Sequence, residues 1–193
     1  MDSNFFAMMA RMKYINRWGL MRNTKTENIA EHSLEVAMIA HSLAVIGNTY
    51  FNRKINADHV AVIALFHDTT EIITGDMPTP IKYYAPEIRD AYKNVESIAA
   101  DQLVSELPEE MRTVYRPILH EETDEYSLML VKAADKMSAL IKCIEEKNMG
   151  NMDFVKAEDT IFKTIKDMHL EEVDYFLDNF LPAYYKTLDE INR

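Results

Sequence analysis

The sequence has almost no cysteine: Cys143 stands alone among 193 residues, so no intrachain disulfide can form and the composition suits a reducing compartment such as the cytoplasm. Glycine is nearly as scarce, with four, and proline numbers six, which argues against the tightly turned strands of a β-fold. Positive charge is also in short supply. With 21 basic against 32 acidic side chains the net charge is -11, which repels duplex nucleic acid and other polyanions. The opening MDSNFFAMMARM carries an acid at position 2 and only a short apolar run, so it does not read as a secretory signal, and no run approaches the length that spans a bilayer. Neither a membrane nor a nucleic-acid polymer is therefore an expected partner.

What is there reads as helix. At 48% hydrophobic content over 193 residues the chain can bury one sizeable core, and a single compact domain over 1–193, of the all-α class, is expected. Asp2 or Ser3 can cap a first helix running to about Ile15, followed by a polar connection over 16–28. The spacing of apolar residues predicts a second helix from Ile29 to Ile46, stopped by Gly47-Asn48. Asn56 or Asp58 opens a third that runs through VAVIALFHDTTEII, apolar nearly all round and so central. TGDMPTP, residues 74–80, cannot extend it and is expected as an ordered loop. Pro86 and Pro108 suit the first turns of two further helices, and Asp124 caps a long one ending near Gly150. Two amphipathic segments, about 153–169 and 171–191, complete the chain, the last interrupted by Pro182.

Chemistry concentrates in three places. His67, Asp68 and Glu71 are expected on one helix, where the i to i+3 and i to i+4 spacings put Glu71 on the face of the pair. They end a very apolar run, where unpaired charge is expensive, and a divalent cation would compensate them. Asp135 follows two alanines inside another apolar helix; alone, such an acid is more often the edge of a solvated face, and His32 alone carries the same bland alternative. Residues 3–26 contain no acid but hold Arg11, Lys13, Arg17, Arg22 and Lys25, a positive island that could bind phosphate or simply stay hydrated beside a helix end. Arg17 offers a planar fork beside Trp18, which could equally be a core anchor.

The ordered set of a histidine, an adjacent His-Asp pair and a later aspartate resembles the HD-domain metal-dependent phosphohydrolases. More closely, RWGLMRNTKTENIAEHS, HDTTEIITGDMPTP and VKAADKMSALIKC look like the motifs of bacterial YfbR-type 5'-deoxynucleotidases, over most of the chain. That resemblance implies an HD-domain helical bundle, a deoxyribonucleoside 5'-monophosphate as substrate, and a homodimer. It implies one divalent metal, Co2+ or Mn2+ first among candidates, ligated by His32, His67, Asp68 and Asp135. Two imidazoles with two carboxylates make a borderline donor set that suits first-row ions better than magnesium. A second metal would need further histidines between the HD pair and Asp135, and only His120 lies there, in the acidic HEETDEY, where a solvated role fits it better. His41, His59 and His169 are claimed by no motif.

The same resemblance places substrate against Arg17, Trp18, His32, Asp68, Asp76, Met77, Pro78 and Thr79. As a mechanism for such a site, Arg17 is expected to hold the phosphate, Asp68 to orient water as well as ligate, and Glu71 to serve in proton transfer. Two rivals stay open at this point. One is another HD phosphohydrolase, a broad nucleotidase or a deoxynucleoside triphosphohydrolase using Arg22 and Lys82 as extra cations. The other is a catalytically silent HD protein that dimerises or senses a ligand.

Overall fold

The structure, a computed structural model, describes residues 2–82 and 84–192, and of Thr79 the backbone alone. Its helices are α1 (Phe5–Met9), α2 (Ile29–Tyr50), α3 (Ala57–Phe66), α4 (Glu71–Thr74), α5 (Thr79–Lys82), α6 (Pro86–Ser105), α7 (Glu109–Leu119), α8 (Glu125–Asn148), α9 (Val155–Lys166), α10 (Glu171–Asn179) and α11 (Leu188–Ile191). Short 3-10 turns occupy Ala10–Tyr14, Met152–Phe154 and Leu181–Tyr185. Among the described residues there is no strand, only an isolated bridge between Asn16 and Asn28 that pinches the polar connection into a closed loop. The all-α expectation holds.

Helix α2 is the axis, packed against α3, α8 and α10, and α8 in turn carries α9. Val36, Ile39, Ala40 and Leu43 of α2 meet Leu130, Ala134, Met137 and Ile141 of α8 in the main core, where alanines on both helices allow close approach. A smaller cluster, Phe5 with Leu103, Val104, Leu107 and Leu119, ties the N-terminus to α6 and α7. Ile118 packs against both clusters and joins them. The sequence expectation that no segment could span a bilayer is corrected by α2, which is long and apolar enough to do so; it is the core helix of the bundle instead.

Side-chain capping follows the sequence at α3 and α8, and α2 is capped in the same way by a residue the sequence reading did not single out. Asn28 accepts from the Ala30 and Glu31 amides to start α2, Asn56 from His59 to start α3, and Asp124 from Ser127 to start α8. Elsewhere the boundaries move for identifiable reasons. The first helix breaks after Met9, and its cap position falls on Asn4 instead of Asp2 or Ser3, while the Ser3 hydroxyl donates to the Glu106 carbonyl at the end of α6 and accepts from the Phe5 amide. Gly47 does not end α2, which continues to Tyr50. A β-carbon at Gly47 would lie 2.8 Å from Glu172 Oε1 and 3.1 Å from Arg53 Cγ, so glycine is there for close approach and not as a stop.

The third predicted helix divides. Helix α3 ends at Phe66 and α4 begins at Glu71, with His67–Thr70 turned between them. His67 Nδ1 bonds the Ala64 carbonyl at 2.7 Å and Thr69 Oγ1 bonds the Phe66 carbonyl at 2.8 Å, so side chains occupy acceptors that a continuing helix would use. The turn swings the His-Asp pair out of line with α3. The final segment also breaks, into α10, a 3-10 turn at Pro182 and α11.

Candidate metal and phosphate site

His32 enters from the first turns of α2, His67 and Asp68 from the turn after α3, and Asp135 from the middle of α8. Ligand atoms of His32, His67 and Asp135 lie within 4.8 Å of one another. Asp68 borders them, its oxygens 3.5 Å from His32 Nε2 and 3.3 Å from His67 Nε2. Three segments distant in sequence thus converge, and the bland readings of His32 and Asp135 as isolated side chains fall away.

The donor set fits a cation. Nε2 of His32 and Nε2 of His67 are both buried and have no aligned hydrogen-bond partner, although Asp135 Oδ1 stands 3.1 Å from the former. His67 Nδ1 faces a carbonyl oxygen and must therefore carry a proton, which leaves Nε2 as the nitrogen available to ligate. Burial opposes ionisation of Asp135, yet His32, His67 and Arg17 around it hold its carboxyl below the usual range. Because 39% of that side chain still meets solvent, its neighbours and not its burial decide the direction.

Arg17 lies over this cluster. Its Nη1 donates to Asp68 Oδ2 at 3.1 Å, Nη2 stands 4.0 Å from Asp135 Oδ1, and Nε is 3.6 Å from Glu27 Oε2. Burial works against the guanidinium charge, but Asp68, Asp135, Glu27 and Asp76 outweigh it and hold the charge firmly. Trp18 has φ of 60°, a left-handed conformation rare for a bulky residue and worth about 1–3 kcal/mol of strain. Its indole N–H donates to Glu27 Oε2 at 2.7 Å and its ring packs on Phe154, 5.4 Å between centroids. Glu27 therefore positions both Arg17 and Trp18. The sequence reading missed it, and its signal was faint: it is the first acid after the basic island.

Glu71 sits at the start of α4, 5% exposed, with Oε2 unpaired. Burial, then the negative charges of Asp68 and Asp76, push its carboxyl up to about 9, against the opposing pull of Arg17 and Lys82. The turn after α3 keeps it beside Asp68, so the expected proximity survives although the single continuous helix does not. Asp76 is likewise raised, by burial and by Asp68, with Arg17 opposing.

A cleft of about 820 Å³ opens beside the cluster, lined by Arg17, Trp18, Asp76, Met77, Pro78 and Asp135. Its loop side turns on Gly75, at φ 73°, and the Gly75 carbonyl accepts from Thr74 Oγ1 and the Tyr92 hydroxyl. The side chain of Thr79, also expected there, lies outside the described residues, and the predicted loop ends in the single turn α5. The far wall comes from α9, with Lys156, Thr160 and Thr164, which the sequence reading took only for an amphipathic helix. The rest of the positive island does not join the site. Arg22 is forked onto Asp153, and Arg11 and Lys13 lie over the Tyr14 ring. His120 pairs with Asp101 at 3.0 Å.

Comparison with known proteins agrees with the geometry. Residues 4–184 match the family described as 5'-deoxynucleotidase YfbR-like. A 5'-deoxynucleotidase of Enterobacter sp. (strain 638) is 46% identical over 193 residues, covering 100% of this chain and 97% of the relative. The 5'-deoxynucleotidase YfbR of Salmonella arizonae is 45% identical over 193 residues with the same coverage. Among solved structures, an HD-domain phosphohydrolase from Listeria innocua superposes with a TM-score of 0.83 at 26% identity, covering 98% of this chain and 92% of its own. A cyanophage S-2L HD phosphohydrolase, solved with dA and one catalytic Zn2+, shares the fold at a TM-score of 0.68 and 22% identity, over 94% of this chain and 96% of its own. The chain is an HD-domain phosphohydrolase and belongs to the YfbR-like 5'-deoxynucleotidase family.

Proposed function

We propose that this 5'-deoxynucleotidase, working as one domain, hydrolyses deoxyribonucleoside 5'-monophosphates at a single divalent metal ligated by His32, His67, Asp68 and Asp135. The observation that carries the assignment is the pair of buried, unpartnered imidazole Nε2 atoms facing two carboxylates. A first-row ion suits that set, Co2+ or Mn2+ foremost, and supplies Lewis-acid polarisation of the phosphoryl group together with a more acidic water. Arg17 binds the phosphate oxygens, for which its fork and enforced charge are suited. Asp68 orients the attacking water. Glu71, buried beside Asp68 and Asp76, is placed for proton transfer with the reacting oxygens. Trp18, Asp76, Met77 and Pro78, which line the cleft, hold the nucleoside, the aromatic face and the acid offering packing and hydrogen bonding to sugar and base, with Thr79 assigned beside them by the family resemblance alone.

The triphosphohydrolase reading loses support because both cations it would recruit are already engaged: Arg22 by Asp153, and Lys82 by Glu96 at 2.9 Å. A silent HD protein would be expected to have lost part of the constellation, whereas all four ligands and Glu71 stand together. The cytoplasm fits a chain whose lone thiol, Cys143, is buried and pushed up to about 12 by that burial. A homodimer is supported by exposed Leu34 and Met38 on α2 and Val62 and Leu65 on α3, adjacent helices with apolar outer positions.

The deciding assay pairs deoxy- and ribonucleoside 5'-monophosphates across Co2+, Mn2+, Zn2+ and Mg2+. Phosphate release from the deoxy forms, at least about tenfold faster than from the ribo forms, is the expected result. Equal rates would make the enzyme a broad nucleotidase, and release of triphosphate from deoxynucleoside triphosphates would make it a triphosphohydrolase.

A further inference from the structure

His32 faces the metal cluster with one ring nitrogen, and what stands behind the other nitrogen determines whether it can ligate. Its Nδ1 lies 3.1 Å from Ser138 Oγ, and Ser138 Oγ donates to Glu35 Oε2 at 2.5 Å. Glu35 is one turn beyond His32 on α2, and Ser138 is one turn beyond Asp135 on α8. Helices α2 and α8, which bring His32 and Asp135 into the site, thus also bring the members of a partly buried hydrogen-bonded chain behind it.

The proton count is restrictive. A serine hydroxyl owns one hydrogen, and an ionised carboxylate can only accept. With that hydrogen committed to Glu35, Ser138 presents only lone pairs to His32, so Nδ1 must be the protonated nitrogen. Nε2 is then the nitrogen left to ligate a cation, beside Asp135 Oδ1 and Asp68 Oδ2 at 3.1 and 3.5 Å. His67 reaches the same tautomer by another route, against the main-chain carbonyl of Ala64. Glu27 Oε1, 3.7 Å from His32 Nδ1, is too distant to take over, and the other oxygen of that carboxylate accepts from Trp18.

We infer that Ser138 and Glu35 are positioning residues that fix His32 in the Nδ1–H tautomer and thereby set the affinity of the site for its metal. The inference rests on His32 being a ligand, as proposed above. It adds a dependence on two residues that touch neither metal nor substrate. Outer hydrogen bonds of this kind are worth about 10–100-fold in metal affinity.

The test is Zn2+ affinity by competition with a chromogenic chelator, together with 15N NMR of the His32 ring in Zn2+-loaded protein. Wild type is expected to show the Nδ1–H tautomer. Ser138→Ala and Glu35→Ala should each weaken Zn2+ by about 10–100-fold. The double variant should be no weaker than the poorer single one, because the two residues act in series. Ser138→Thr and Glu35→Gln keep a hydroxyl and an acceptor and should stay within about threefold of wild type. Should Glu35→Ala fail to fold, Ser138→Ala with the ring tautomer decides alone. His32→Ala serves as the reference. If it binds Zn2+ like wild type, the ligand assignment and this inference fall together. If it loses Zn2+ while Ser138→Ala retains full affinity, or if wild-type His32 carries its proton on Nε2, only the relay falls.

Discussion

Arg17 and Asp68, 51 residues apart in sequence, meet at 3.1 Å through Nη1 and Oδ2, with the Asp68 oxygens beside the two imidazole Nε2 atoms. The contact joins the loop that carries the Arg17 fork to the turn that carries the His-Asp pair. Only 14% of the Arg17 side chain and 17% of the Asp68 side chain meet solvent, so the pair acts with little screening. One carboxylate therefore faces both the candidate metal and the cation that would hold the substrate phosphate.

That geometry makes arginine hard to replace. Arg17→Lys keeps the charge but loses the planar fork, and an ammonium cannot face Asp68, Glu27 and a phosphate oxygen together. Loss of charge-assisted hydrogen bonds worth about 2–3 kcal/mol predicts a roughly 100-fold fall in kcat/KM for a deoxynucleoside 5'-monophosphate, with metal content unchanged. Steady-state kinetics and metal analysis of the same preparation check it. A variant within a few-fold of wild type would take Arg17 out of phosphate binding.

Glu71 predicts a pH signature in metal-free protein. A carboxyl held at about 9 when folded, against an ordinary value of 4.5, binds more protons folded than unfolded between those values. Stability of the metal-free protein therefore falls as pH rises from 4.5 towards 9. Glu71→Gln removes this loss, so thermal unfolding should show the metal-free variant more stable than wild type at pH 8 and equal to it at about pH 4. The same substitution should cut kcat by about 100-fold or more while the metal stays bound. A melting difference independent of pH would contradict the buried-carboxyl account, and retention of most activity would remove Glu71 from the chemistry.

Much of this site was legible because its motifs are local. HDTTEII, the Asp76 loop and Asp135 each sit where apolar patterning changes, and caps such as Asn56 and Asp124 announce their helices through one side chain. What escaped depends on contacts across the fold. Gly47 looks like a helix stop until Glu172 and Arg53 are seen against it. The break after Phe66 follows from His67 and Thr69 turning back on carbonyls, which periodicity cannot register. Glu27, Ser138 and the α9 wall acquire roles only when distant segments meet, and the basic island loses most of its promise once Arg22 finds Asp153.

Behind the Trp18 loop lies a further long-range device. Glu146 of α8 is fully buried and accepts from the Thr24 and Lys25 amides, Asn151 Nδ2 and the Lys142 ammonium. Lys142 also donates to the Lys25 carbonyl and lies 5.8 Å from the Phe154 ring on which Trp18 packs. Burial opposes the charge on Glu146, but these donors outweigh it and hold the carboxyl well below its usual range. Its contribution is therefore present above an unfolded value near 4.5 and is lost as pH falls below it. Lys142→Met leaves the carboxylate buried without its cation and should cost about 3–5 kcal/mol in urea unfolding at pH 7. The loop that presents Arg17 and Trp18 loosens with it, so KM should rise more than kcat falls. If unfolding is unchanged, the pair contributes nothing to stability. If stability drops with KM intact, the anchor holds the fold but not the substrate loop.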